Sequence, residues 1–437
     1  MTVTPFHLAW FLQGSSVQAW GEPWTGNISE DWMSCDMFLD LARGCERACF
    51  DYMLLEDSIY VGETWQNSRD IFLKNGMSIP RQEPSVVATL MAAATTRLGI
   101  VPTLSTFAYA PYLTARIVGT LDQVSGGRAG WNMVTGSSDL SAKNFGMERL
   151  PPHDQRYDMA DEYIDICKRL WGSWEPGAIV ADRESGVLID PAKVHTIDYE
   201  GRYYSSRGPL NSGPCPQGQP VIAQAGGSDR GRRFAAAHAD TIVAHVKGVQ
   251  QMKEYRDDVR AKLAGFGRDP DSCKVLFLIS PLLAETTEEA QTKAAQRAVN
   301  AENSIDRRLA QMGWSTNIDF STFDLDQPVG ELTTNGHQQS LAQFLRKAGS
   351  RTLREAIISY TSGGASIDLV GSPDAAAAQM AEAMQEIGGD GFLFSMPNVT
   401  RRTTAEIADG LAAVLQQRGL TRKAYAHKQL RDNLLEF

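Results

Sequence analysis

Eight short apolar runs recur along the chain, and longer stretches of helical periodicity separate most of them. The runs are Phe6–Leu12, Tyr52–Leu55, Gly99–Ser105, Ala129–Val134, Pro220–Ala225, Thr241–His245, Val275–Ile279 and Gly391–Phe394. Short apolar runs bounded by turn residues read as buried strands. Between Cys35 and Cys49, the residues Phe38, Leu41, Ala42 and Cys45 share one helical face. Pro84 precedes the Ala- and Leu-rich helix Ser85–Thr95, and Pro111–Val124 opens on a proline that a first turn tolerates. Asp374–Ile387 and Thr404–Gln417 supply the closing helices. Strands alternating with helices predict an α/β fold, and eight of them favour a (β/α)8 TIM barrel over an open sheet.

Two regions break the rhythm. Residues 171–219 are rich in Gly, Pro and charge, and residues 305–362 are polar with a helical piece near Leu341–Lys347. Both exceed the usual length of a connection, so they are read as insertions covering one end of the barrel, as water-excluding lids. A subunit interface is the plainer alternative.

Composition narrows the class. The 437 residues are 43% hydrophobic and 22% charged, as in an ordinary globule. A net charge of −10 with no basic run argues against nucleic acid. With neither a signal peptide's pattern nor an apolar run of membrane-spanning length, a cytoplasmic protein is expected. The six cysteines form no C-x-x-C pair, and no zinc or iron spacing occurs, so buried free thiols and no metal are expected.

The candidate chemistry gathers at strand ends. Ser125-Gly126-Gly127-Arg128 turns into the strand holding Trp131 and Asn132, and a helix opening on His153 and Tyr157 follows. Asn132 offers two donors and an acceptor, which suits a flat heterocycle. His153 and Tyr157 lie four apart on one helical face and could hold a phosphate or ribityl chain. The run Val221–Ala225 leads into Gly226-Gly227-Ser228-Asp229 and a helix. Two glycines admit an anion to the backbone, and Ser228 stands where helix N–H groups are free; Arg230, Arg232 or Arg233 could add charge. An N-cap alone would account for Ser228 or Asp229. Asp57 ends the second strand, and Thr103 and Ser105 share one side of the third, where a ligand or a backbone carbonyl could satisfy them. Five of nine tryptophans fall in the first 65 residues, at 10, 20, 24, 32 and 65. Trp10 and Phe107 are expected at an apolar mouth. No G-x-G-x-x-G follows a strand and no G-x-S-x-G occurs, which disfavours a bound dinucleotide and a serine hydrolase.

Several phrases together resemble the flavin-dependent monooxygenases related to bacterial luciferase, in the branch acting on nitrilotriacetate and dibenzothiophene sulfone. They include Glu83-Pro84-Ser85-Val86-Val87-Ala88-Thr89, Thr120-Leu121-Asp122-Gln123, Ser125-Gly126-Gly127-Arg128, Asp190-Pro191-Ala192-Lys193-Val194-His195, Arg207-Gly208-Pro209-Leu210 and Gly389-Asp390-Gly391-Phe392. The resemblance implies one luciferase-like barrel domain over residues 1–437. It implies FMN as cofactor, reduced to FMNH2 by a separate NAD(P)H:flavin reductase, with O2 as co-substrate forming a flavin C4a-peroxide. Family flavin contacts fall on positions matching Asp57, Thr103, His153, Tyr157 and Ser228, with Asn132 and Gly227 beside them. Some relatives carry a His near residues 313–318, where Trp314 stands here, so Trp314 joins the pocket candidates and no acid–base residue is assigned. Arg81 and Lys74 are the cations seen near the second-strand loop, too few for a polycarboxylate. A small neutral organosulfur or aromatic heterocyclic substrate is expected, and relatives imply a homodimer or homotetramer. The rivals are a deazaflavin (F420) oxidoreductase of the same fold and a non-catalytic flavin-binding protein.

Overall fold

The computed structural model describes residues 4–15, 35–302, 304–360 and 365–437. Trp20, Trp24 and Trp32, and the last residues of the 305–362 insertion, lie at least partly outside that set. Eight parallel strands close into a barrel: β1 (His7–Gln13), β2 (Tyr52–Glu56), β3 (Gly99–Ser105), β4 (Gly130–Val134), β5 (Val221–Gln224), β6 (Thr241–Ala244), β7 (Lys274–Ile279) and β8 (Gly391–Phe394). All eight apolar runs became barrel strands. β1 closes the ring by pairing with both neighbours, His7 opposite Gly391 and Ala9 opposite Tyr52.

Helices α1 (Asp36–Arg47), α2 (Pro84–Ala94), α3 (Pro111–Ser125), α4 (His153–Trp171), α5 (Asp229–His238), α6 (Val249–Gly265), α7 (Ile305–Thr316), α8 (Gln338–Ala348) and α9 (Pro373–Ile387) are the ones that position the site. α2 begins at Pro84, where Glu83 caps it by accepting from the Val86 N–H. The expected Thr404–Gln417 helix starts earlier, at Arg401, and passes through a π-helical stretch at Glu406–Leu411. The last helix described, α10 (Leu430–Leu434), follows.

Strand alternation sorts the core into two layers. Leu8, Trp10, Leu12, Trp131 and Met133 pack outward against the helices. Ala9, Tyr52, Leu54, Val101, Val221, Ala223 and Leu393 fill the lumen, where Leu430 and Leu434 join them. α10 therefore plugs the N-terminal end of the barrel. A buried network stands beside it: His7 Nδ1 to Asp51 at 2.9 Å, Arg422 to Asp51 at 2.9 Å, and the Leu8 N–H donating to Asp51 at 3.1 Å.

Residues 171–219 correct the expectation of two lids. Of their small hairpins, Tyr199–Glu200 with Ser205–Ser206 lies against α4, where Glu162 accepts from the Tyr204 N–H at 2.6 Å, and Ile179–Asp182 with Val187–Ile189 is largely exposed. Gln123 Nε2 donates to Pro214 O at 3.1 Å, and Gln217 donates to Asp122 at 2.6 Å, both beside the last turn of α3. The cause is topological: this segment leads from a helix into a strand, and such connections emerge at the N-terminal end. Residues 305–360 follow a strand instead and lie over the C-terminal end, with their own core of Leu309, Phe320, Phe344 and Leu353.

Candidate active site at the C-terminal end of the barrel

Thr103 and Asn132 are opposite one another in the β3–β4 register, both buried and facing the lumen. Asn132 Nδ2 donates to Thr103 Oγ1 at 2.7 Å. That bond fixes the carboxamide and leaves Asn132 Oδ1 buried with no hydrogen-bond partner among the described residues. A buried acceptor without a donor costs about 1–3 kcal/mol, so its persistence points to a ligand that donates there. Ser105, two residues on, is satisfied by Val134 O at 3.4 Å.

A second cluster forms where β5 meets α5. Ser228 is the N-cap of α5, and its Oγ accepts from the Gly231 N–H at 3.0 Å. His153 and Tyr157, from the first turns of α4, close on it. His153 Nε2 lies 3.4 Å from Ser228 Oγ, and Nδ1 lies 2.7 Å from Asp154. The Tyr157 hydroxyl is bonded to Gln224 and Ser228; burial raises its pKa and those bonds oppose the rise. Gly226 is glycine for lack of room, and Gly227 is covered by the Gln339 carboxamide. A β-carbon on Gly226 would strike Gln224 Oε1 and the Gly231 backbone, and one on Gly227 would overlap Gln339. His153, Tyr157, Gly227 and Ser228 thus surround the N-terminus of a ten-residue helix.

Of the arginines after the glycines, Arg230 and Arg232 add no free charge. Arg230 is held by Asp158 at 2.9 Å and Asp161 at 2.6 Å; Arg232 is held by Asp258 at 2.7 Å and donates to Gly227 O. Arg233 lies over the Phe266 ring. These residues tether the loop, and any anion bound there would rely on N–H groups, His153 and hydroxyls.

Asp57 follows β2 at the same end. Burial, with help from the neighbouring Glu56 charge, pushes its carboxyl up to about 7. Arg81 is ion-paired with Glu56, and Lys74 is exposed beside Asp70, so neither is a free cation at the mouth. Trp10 is corrected: it is buried outward, its ring 6.1 Å from Phe394 and 6.3 Å from Phe50. Alternation turns its neighbour Phe11 toward the lumen instead. Phe107 meets Phe145 edge-on at 5.6 Å. Trp314, on α7, stacks on Tyr60 at 5.6 Å, and Tyr60 Oη donates to Trp314 O at 2.9 Å. The lid is tied further by Asn317 to Ser137 O at 2.9 Å and by Arg156 to Asn335 O at 3.1 Å.

Comparison with known proteins decides the family. Residues 11–391 match the luciferase-like monooxygenase profile. The chain belongs to the luciferase-like monooxygenase family. It is 33% identical over 437 residues to the dibenzothiophene-sulfone monooxygenase of Rhodococcus erythropolis (strain XP), covering 98% of this chain and 96% of that one. The long-chain alkane monooxygenase of Geobacillus thermodenitrificans (strain NG80-2) is 33% identical, covering 90% and 86%. Among solved structures, a riboflavin lyase with modified FMN and riboflavin superposes with a TM-score of 0.89 at 32% identity, covering 99% and 96%.

As a luciferase-like monooxygenase, the chain is a flavin-dependent enzyme. The family phrases divide by location. Ser125-Gly126-Gly127-Arg128 is not at the site: it turns at the N-terminal end, where Gly126 takes a left-handed φ of 71°. Gln224, Gln339 and Tyr60 are site neighbours that the sequence reading did not single out as candidates. Of the pair Trp10-Phe11, expected together at the mouth from the end of the first strand, Phe11 is the one on the lumen side. Among the described residues, no group of three or more His, Cys, Asp or Glu could hold a metal, and no helix is long and apolar enough to cross a membrane. Five of the free thiols are buried, with Cys35 partly so.

Proposed function

We propose that this chain is the oxygenase component of a two-component system, using FMN reduced by a separate NAD(P)H:flavin reductase and O2 to oxidise a small neutral organosulfur or aromatic heterocyclic compound. The observation that carries the reading is the orphaned Asn132 Oδ1 in the lumen, on the same barrel end as the anion cradle of His153, Tyr157, Gly227 and Ser228. FMN fits both: a ring N–H is the donor that Oδ1 lacks, and a terminal phosphate is the anion for a helix N-terminus. Reduced FMN supplies the electrons that activate O2. This chain's residues do the rest.

Thr103 holds the Asn132 carboxamide in place, so the acceptor is aimed before the ring arrives. Ser228, the α5 N–H groups and His153 hold the phosphate, with Tyr157 pinned behind them. Asp57, with a carboxyl that titrates near 7, exchanges a proton at the mouth close to neutral pH. Residues 305–360 exclude water and bring the Trp314–Tyr60 pair to the substrate side. The aromatic rim and the paired Arg81 support a neutral substrate. Val86 and Leu90 on α2, with Leu113 and Val124 on α3, are exposed and apolar, which supports a homo-oligomer.

The test is oxygen uptake with FMN, NADH and an added reductase, across organosulfur and heterocyclic compounds. Substrate-dependent uptake with an oxygenated product is expected. Oxidation of anionic chelates alone would sink the substrate class; absence of FMN binding with F420 turnover would move the protein to the deazaflavin reading.

A further inference from the structure

The lid helix α8 touches the cradle directly. The Gln339 carboxamide lies so close to Gly227 that no β-carbon fits between them. Its Nε2 donates to the His245 main-chain O at 2.8 Å, and Gln343, one turn on, donates to the same oxygen at 2.7 Å. A carbonyl oxygen has two lone pairs and accepts both. If Gln339 turns away, Gln343 still satisfies His245, so the rotation bares no buried carbonyl. The cradle side has the complementary shortage. Arg230 and Arg232 are committed to carboxylates, while Ser228 Oγ accepts from Gly231 and keeps its O–H to donate. An anion there has neither of these arginines to pair with, and Gln339 carries two N–H bonds at the loop's edge.

We propose that Gln339 is a lid-borne contact for the cofactor's phosphate, its carboxamide rotating from His245 O to donate to the phosphate oxygens. The inference rests on the cradle reading above. A purely structural tie would make Gln339 and Gln343 equivalent, since both bond to His245. A phosphate contact makes them different, since Gln339 is the one against Gly227.

The test compares FMN with riboflavin, which share ring and ribityl chain and differ in the phosphate, by titrating the full chain's fluorescence. Gln339→Ala is expected to weaken FMN binding about tenfold, as for loss of one hydrogen bond to a charged group, and to leave riboflavin unchanged. Gln339→Glu keeps the shape but repels phosphate, so FMN weakens further while riboflavin again holds. Gln343→Ala, which removes only the spare donor to His245 O, should lower the FMN-to-riboflavin ratio less than Gln339→Ala does. Equal losses for both ligands at Gln339, or an equal change in that ratio from Gln343→Ala, would overturn the contact. Ser228→Asp separates the two ideas. If it lowers FMN alone while the Gln339 variants show no discrimination, only the lid contact fails. If Ser228→Asp itself fails to discriminate, the cradle fails and the lid contact with it.

Discussion

At the N-terminal end of the barrel, Arg128 is buried without a carboxylate and yet fully bonded: to Ser125 O at 2.8 Å, Leu98 O at 2.6 Å, Ala92 O at 2.8 Å, Thr95 O at 3.0 Å and Thr95 Oγ1 at 3.0 Å. At the C-terminal end, Asn132 Oδ1, Gln224 Oε1, Ser58 Oγ and Trp314 Nε1 are buried with no partner among the described residues. Arg128 and the His7–Asp51 pair are closed on the chain itself, a configuration that stabilises. The atoms at the other end are left open at a cost in stability, which is the condition for recognising something that arrives later. Thr421 Oγ1 and Arg422 Nε at the N-terminal end also lack a partner among the described residues, so what marks the ligand end is an orphaned acceptor facing the lumen, Asn132 Oδ1.

The largest test of that contrast is Asp51→Ala, which takes from His7 its carboxylate and leaves the buried Arg422 only the carboxylate of Glu436, at 3.2 Å. Unfolding stability should fall by about 3–5 kcal/mol while the folded fraction binds FMN normally. Burial works against the Asp51 charge, but His7 and Arg422 outweigh it and hold its pKa below the ordinary 3.8. Its contribution is therefore present above that value and lost as pH falls below it. Denaturant midpoints with FMN titrations check this; an unchanged midpoint or a collapse of flavin affinity would erase the division between the ends.

Asp57 sharpens the contrast with opposite sign. Its folded pKa of about 7 exceeds the ordinary 3.8, so the unfolded chain ionises first and stability declines as pH rises between those values. Asp57→Asn should remove that decline, becoming more stable than the parent by about 1–2 kcal/mol above pH 7 after allowance for partial exposure. FMN affinity should lose an inflection near neutral pH in the same variant. Parallel pH profiles for parent and variant would contradict the assignment.

The smallest effect belongs to the flank. Leu188, 64% exposed on the hairpin of residues 179–189, lies away from both ends. Leu188→Ser should alter stability by no more than about 0.5 kcal/mol and leave FMN binding unchanged. A shift in flavin affinity would show that residues 171–219 act on the site after all.

Much of this was legible in the chain. The eight strands came from apolar runs bounded by Gly, Pro and polar residues, and parallel strands covered by helices have no other composition. Asn132, Thr103 and Ser228 stood out as candidates because each sits close to a strand end, and His153 and Tyr157 because they share one face at the start of a helix. Trp10 was misread because one step of alternation exchanges lumen for helix layer, and strand limits read from sequence are loose by more than one residue. The 171–219 insertion was misread because its length announced an excursion but not which end of the barrel it left from.

What the sequence alone determined is the local and periodic part: which segments are strands, which are helices, which glycines precede a helix N-terminus, and which family the wording belongs to. Tertiary structure decided the rest. It showed that Asn132 Oδ1 has no donor among the described residues, that Arg230 and Arg232 are already engaged, and that Gln339, more than 100 residues after Gly227, lies against it. Those facts depend on which groups meet when a sheet closes on itself, and no periodicity along the chain encodes a distance across a barrel's mouth.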